Sequence, residues 1–104
     1  MSYSKEVTDQ VWEKGRATGN QDSTEWRKDE CGAWIRYKHY GNEESGFGWK
    51  ILNVATGAAA EDLRPFHVQN DFNRNTGLAV CRVKADREGL PSTAQVAAPR
   101  NMSA

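Results

Sequence analysis

The chain has 104 residues, and 14 basic side chains balance 14 acidic ones, so its formal net charge is zero. A chain this short forms one small domain that buries only about 60–65% of its unfolded surface. Its four Trp, three Tyr and three Phe must therefore supply much of the core. Neutrality weakens the counterion release that drives tight, non-specific nucleic-acid binding, and no apolar run approaches the roughly 20 residues of a membrane-spanning helix.

The opening segment, MSYSKEV, has no apolar signal core, and the expectation is a soluble cytoplasmic protein. Residues 1–10 are polar and read as a flexible N-terminus. Val11 and Trp12 are the first apolar pair and read as a clamp on a sheet, without a regular element of their own. Ala17 to Ser23, with Gly19, Asn20 and Asp22, has the composition of a loop.

From Cys31 the chain alternates. Cys31, Ala33, Ile35 and Tyr37 fall on one face of an extended segment, and Gly32, Trp34, Arg36 and Lys38 on the other, which predicts a strand over 31–38. Asn42 to Gly48, with two acidic residues and two glycines, reads as a mobile loop. A second strand is predicted over 49–54, a loop over 55–60, and a return strand over 63–66 that Pro65 confines to an edge. The spacing of Phe66, Val68 and Phe72 predicts a helix over 67–74, closed by Asn75 and Gly77. A last strand is predicted over 78–83, and residues 86–104 read as a flexible C-terminal tail.

Trp12, Trp34, Ile35, Trp49, Ile51, Leu63, Phe66, Phe72 and Val80 are the expected core, in an α+β fold. Cys31 and Cys81 lack C-x-x-C spacing. Two half-buried thiols in strands are the favoured reading, with a disulfide as the alternative that a reducing cytosol disfavours.

The segments VWEKG, EWRKDECGAWIRYKHYG, GFGWKI, DLRPFHVQND and AVCRV, read together over residues 11–85, resemble successive landmarks of small bacterial HNH-like proteins. The resemblance implies a ββα-metal domain, a β-hairpin followed by a helix that grips one metal ion, with additional flanking strands. In that family the first hairpin strand reads W-E-I-D-H-I. Its Asp holds the metal and its His is the general base of one-metal phosphodiester hydrolysis. Here the same stretch reads Trp49, Lys50, Ile51, Leu52, Asn53, Val54.

By the resemblance, Leu52 stands at the metal Asp, Asn53 at the base His, Asp62 at the loop-bracing Asn and Asn70 at the helix ligand, with His67 one turn earlier. Leu52 offers a hard cation no oxygen, and Asn53 does not titrate near neutral pH. No metal or cofactor is therefore expected. His67 and Asn70 have bland readings as residues bracing backbone, and His39 reads as solvent-facing. Arg36 and Lys38, with Tyr37 and Tyr40, form a basic–aromatic stretch that is either a nucleic-acid contact or an ordinary solvated face.

The expected function is a catalytically degenerate HNH-like binding or regulatory module. Its partner is more naturally a protein than nucleic acid, and an inhibitor or modulator of nucleic-acid enzymes is one version. The competing reading is a metal-dependent nuclease with a displaced site built from His39, Asn53, Asp62, His67 and Asn70.

Overall fold

The computed structural model describes residues 3–19, 21–55, 62–85 and 101–103. Among these described residues the fold is an α+β arrangement of one α-helix and four antiparallel strand pairs. The elements are α1 (Lys5–Trp12), β1 (Trp26–Lys28), β2 (Trp34–Arg36), β3 (Trp49–Asn53), β4 (Leu63–His67), β5 (Asp71–Asn73), β6 (Leu78–Val80), β7 (Val83–Lys84) and β8 (Met102–Ser103). A 3-10 turn spans Tyr37–His39.

The N-terminal stretch expected to be flexible forms α1. Ser4 caps it, its hydroxyl accepting from the Val7 N–H, and Lys5 pairs with Asp9 one turn on at 2.9 Å. Val7, Thr8, Val11 and Trp12 recur at helical spacing and bring the clamp residues inward as the helix's last turn. The core so formed joins Val11, Trp12, Ile35 and Trp49, with Val7, Tyr37, Tyr40, Ile51 and Leu63 packed around it. Trp12 meets Trp49 at 5.1 Å between ring centroids, and Tyr40 meets Trp49 at 4.8 Å.

The β1–β2 pair is shorter than the strand predicted over 31–38. Its register sets Trp26 opposite Arg36 and Lys28 opposite Trp34. Ile35 points to the main core. Trp34 is buried on the other face by a second aromatic layer, with Trp26 at 6.2 Å from Trp34 and Phe47 at 4.9 Å from Trp26. Phe47 belongs to the segment expected to be a mobile loop. That segment is instead braced: the Phe47 carbonyl accepts from the Arg36 N–H, and Ser45 Oγ bonds both His39 Nδ1 and the Phe47 N–H. His39 is accordingly half-buried rather than solvent-facing.

The hairpin β3–β4 forms as expected, with Trp49 opposite His67 and Asn53 opposite Leu63. Pro65 is accommodated because β4 lies at an edge. The predicted helix over 67–74 does not form. His67 ends β4, residues 68 and 69 turn, and Asp71–Asn73 pair with Leu78–Val80. The run VQNDFNRNTG is rich in residues of poor helix propensity. Asn73 instead makes a local turn, its Oδ1 accepting from the Asn75 and Thr76 N–H groups, and Gly77 closes it at φ +72°. The helical spacing of Phe66 and Phe72 is satisfied across strands, their rings 6.2 Å apart.

The strand predicted over 78–83 breaks at Cys81 and Arg82, and Val80, expected in the core, is 36% exposed. Cys31 and Cys81 are not free thiols: they are joined in a disulfide across 50 residues of sequence. Within the expected C-terminal tail, Met102–Ser103 pair with β7. The loop expected over 55–60 and most of the tail lie outside the described residues.

Candidate functional site

The polar centre of the molecule is a buried network built on Asp29, His67 and Asn70, which are 3%, 2% and 0% exposed. Asp29 lies in the turn between β1 and β2. Its Oδ1 accepts from the Cys31 and Ala33 N–H groups at 2.9 Å each, and its Oδ2 accepts from the His67 N–H at 2.8 Å and Asn70 Nδ2 at 3.0 Å. Four donors on one carboxylate offset much of the cost of burying it.

Asn70 is equally saturated. Its Nδ2 also donates to the Val83 carbonyl at 2.9 Å, while its Oδ1 accepts from the Arg82 and Val83 N–H groups at 2.7 and 2.9 Å. The amide thus takes the backbone groups that a continued ladder would have used, which is why the last predicted strand breaks. His67 Nε2 donates to the Gly46 carbonyl at 2.9 Å, and Nδ1 accepts from the Gln69 N–H at 3.1 Å. Both ring nitrogens are therefore occupied in the Nε2–H tautomer.

His67 and Asn70 are brought together in this network, whereas the other positions equated with the site, Leu52, Asn53 and Asp62, make their contacts elsewhere. Leu52 stands opposite Arg64 in the hairpin. Asn53 Oδ1 accepts from the Ala55 N–H at 2.9 Å, a turn-forming bond at the end of β3. Asp62 faces a cleft of about 390 Å3 shared with Lys14, Glu30 and Arg64. Arg64 bridges Asp62 at 2.6 Å and Glu30 at 2.7 Å, and Lys14 Nζ lies 3.4 Å from Asp62 and 2.8 Å from the Leu63 carbonyl. Arg64 beside it holds the Asp62 carboxyl below the usual carboxylate range, with Lys14 adding to the effect, while Asp62 and Glu30 push the Arg64 guanidinium up. The cleft is thus lined by a mutually compensating set of charges. Among the described residues, no group of three or more His, Cys, Asp or Glu side chains is placed to hold a metal ion.

The basic–aromatic stretch is split by the 3-10 turn. Arg36 donates to Glu25 through Nε and Nη2 and lies 5.2 Å over the Trp26 ring. Lys38 is exposed, whereas Tyr40 turns its ring onto Trp49. Tyr37 donates through its hydroxyl to Asp9. These side chains do not form one continuous strip. The basic and aromatic residues that do share a face are Trp26, Lys28, Trp34 and Arg36, with Lys28 Nζ 4.9 Å over Trp34.

Sequence reasoning passed over Asp29, the residue on which the network converges. The available signal was an Asp two residues before Cys31 and three before Gly32, a turn-forming pattern in front of an apolar strand. No protein-family model, curated protein or solved structure matches this chain. Among the described residues, no helix is long and apolar enough to cross a membrane.

Proposed function

We propose that this chain is a non-catalytic binding module, with its β3–β4 hairpin the retained part of an HNH-like scaffold and a protein as its partner. The observation that carries the reading is the occupancy of the former site. His67 and Asn70 spend every polar side-chain atom on backbone and on Asp29, while Leu52 brings no ligand and Asn53 no base. A hydrolytic site needs a group free to hold a cation and a group free to take a proton. The helix that would complete an HNH centre is replaced by β5, so the likeness rests on the hairpin and the sequence landmarks.

A protein partner fits the zero net charge better than a polyanion does. It also fits the engagement of Arg36 with Glu25 and of Arg64 with Asp62 and Glu30. A role in modulating nucleic-acid enzymes is the specific version. The Cys31–Cys81 disulfide counts against the cytoplasm expected from the sequence, because persistent structural disulfides belong to oxidising compartments; a cytoplasmic location would require the bond to cycle between oxidised and reduced forms.

The test is a plasmid-nicking assay with magnesium, manganese and nickel, together with calorimetric metal titration of the wild type and of Leu52→Asp/Asn53→His. Neither protein should cleave or bind a divalent ion specifically, because the Asn70 oxygen is already taken by two backbone N–H groups. Metal-dependent nicking by the wild type, abolished in His67→Ala, would establish the displaced-site nuclease instead.

A further inference from the structure

We propose that the Cys31–Cys81 disulfide is a redox latch whose reduction releases the β7–β8 ribbon from Trp34 and opens the outer edge of β2. The latch is built from the bond and its neighbouring hydrogen bonds, whatever partner the chain binds.

The latch sits where two hydrogen-bonded clamps meet. Cys31 donates its N–H to Asp29, and Cys81 immediately precedes Arg82, whose N–H donates to Asn70. Asn70 in turn donates to Asp29, so the disulfide closes a ring whose other side is made only of hydrogen bonds. Beyond Cys81 the chain is held by the Asn70 amide on Val83 and by the Ala85 N–H on the Gly32 carbonyl at 2.8 Å. Val83 and Lys84 then pair with Met102–Ser103.

The residue before that strand covers β2. Asn101 Oδ1 accepts from the Trp34 N–H at 2.6 Å, while its Nδ2 donates to the Trp34 carbonyl at 2.8 Å and to the Gly46 carbonyl at 2.6 Å. A side-chain amide therefore occupies both backbone groups of Trp34, as a neighbouring strand would. That edge borders the face bearing Trp26, Lys28 and Arg36.

Access favours the exchange. Cys81 is exposed and Cys31 half-buried. A thiolate of a dithiol reductant attacks Cys81 Sγ, forming a mixed disulfide and expelling the Cys31 thiolate, which takes up a proton. The second thiol of the reductant then closes its own disulfide and expels Cys81 as a thiol. Two electrons pass from the dithiol to the protein. A constraint across 50 residues is lost, and the clamps on 82–85 must hold the ribbon by hydrogen bonds and two buried aliphatic side chains, Val83 and Ala85.

Amide hydrogen exchange of the full chain, oxidised and after treatment with dithiothreitol under native conditions, tests the proposal, with the bond state read by mass after thiol alkylation. Reduction should speed exchange at Trp34, Val83 and Ala85 by about tenfold or more, while Ile51 and Phe66 in the hairpin stay within about twofold. Cys81→Ser should reproduce that pattern without reductant. The latch is overturned by a bond that resists reduction in the folded protein, by unchanged exchange at Trp34, Val83 and Ala85, or by equal loss of protection in the hairpin, which would make the bond a staple of the whole fold. A Cys81→Ser pattern unlike that of the reduced protein would also overturn it.

Discussion

Asn70 shows how much one side chain decides. A four-atom amide replaces a stretch of strand ladder, tying β7 to the Asp29 turn and ending the strand that began at Leu78. Asn70→Ala would strip partners from the Arg82 and Val83 N–H groups, the Val83 carbonyl and Asp29 Oδ2. With each buried orphan costing about 1–3 kcal/mol and some recovered by relaxation, a loss of about 3–5 kcal/mol in urea unfolding is expected. Asn70→Asp discriminates further: an ionised carboxylate there would face both Asp29 and the Val83 carbonyl as acceptor against acceptor. Its defect should be large at neutral pH and shrink in acid, where a protonated carboxyl donates again. A pH-independent defect would mean that the amide's donors are not what matters. Trp49 is the apolar counterpart, 0% exposed, with its indole N–H on the Tyr37 carbonyl at 3.2 Å. Trp49→Ala should cost about 3–5 kcal/mol in the same measurement.

At the scale of elements, local chemistry and tertiary demand part company. The β3–β4 hairpin was legible because alternation over Trp49–Asn53 and the edge signal of Pro65 pointed the same way. Most core aromatics were legible from the same alternation, whereas the α+β class holds only in outline, its helix lying over Lys5–Trp12 and not over 67–74. The segment 67–74 was not, because Phe66, Val68 and Phe72 also fit a helical period, and only the burial of Asn70 against β7 decides for strand. The clamp at Val11 and Trp12 was visible, but the helix leading into it was hidden by its polar outer face and rested on Ser4 as a cap. The loop over 42–48 read as mobile from its glycines, yet one of them is required by close packing. A Cβ on Gly48 would stand 1.8 Å from the Asn42 carbonyl oxygen, whereas one on Gly46 would meet nothing within 4 Å. Gly48→Ala should therefore destabilise by more than about 2 kcal/mol, and Gly46→Ala should stay within about 0.5 kcal/mol. Equal effects in parallel urea titrations would contradict the braced loop.

Across the whole molecule, zero net charge conceals charges arranged in local pairs, and these set the response to acid. Asp62 is held low by Arg64 and Lys14. Asp9 is held low by Lys5 and by the Tyr37 hydroxyl. At Asp71 burial opposes ionisation, but Arg82 and Lys50 outweigh it and the net shift is again downward. A carboxyl whose folded pKa lies below its unfolded value near about 4 stabilises the fold fully above that unfolded value, and the contribution fades as pH falls through the folded pKa. Unfolding free energy should therefore begin to decline below about pH 4. Because Asp62 and Asp71 are substantially exposed, each contribution is small and screened by salt. Asp62 is the informative position, since it pairs with Lys14 just beyond α1 and with Arg64 in the hairpin, and Arg64 in turn pairs with Glu30 in the β1–β2 turn. Asp62→Asn should lower stability at neutral pH and flatten the acid slope, so that wild type and variant converge as the pH approaches 2, with the neutral-pH gap narrowing in molar salt. Parallel pH profiles at every ionic strength would show that the cleft's ion pairs do not set the acid response.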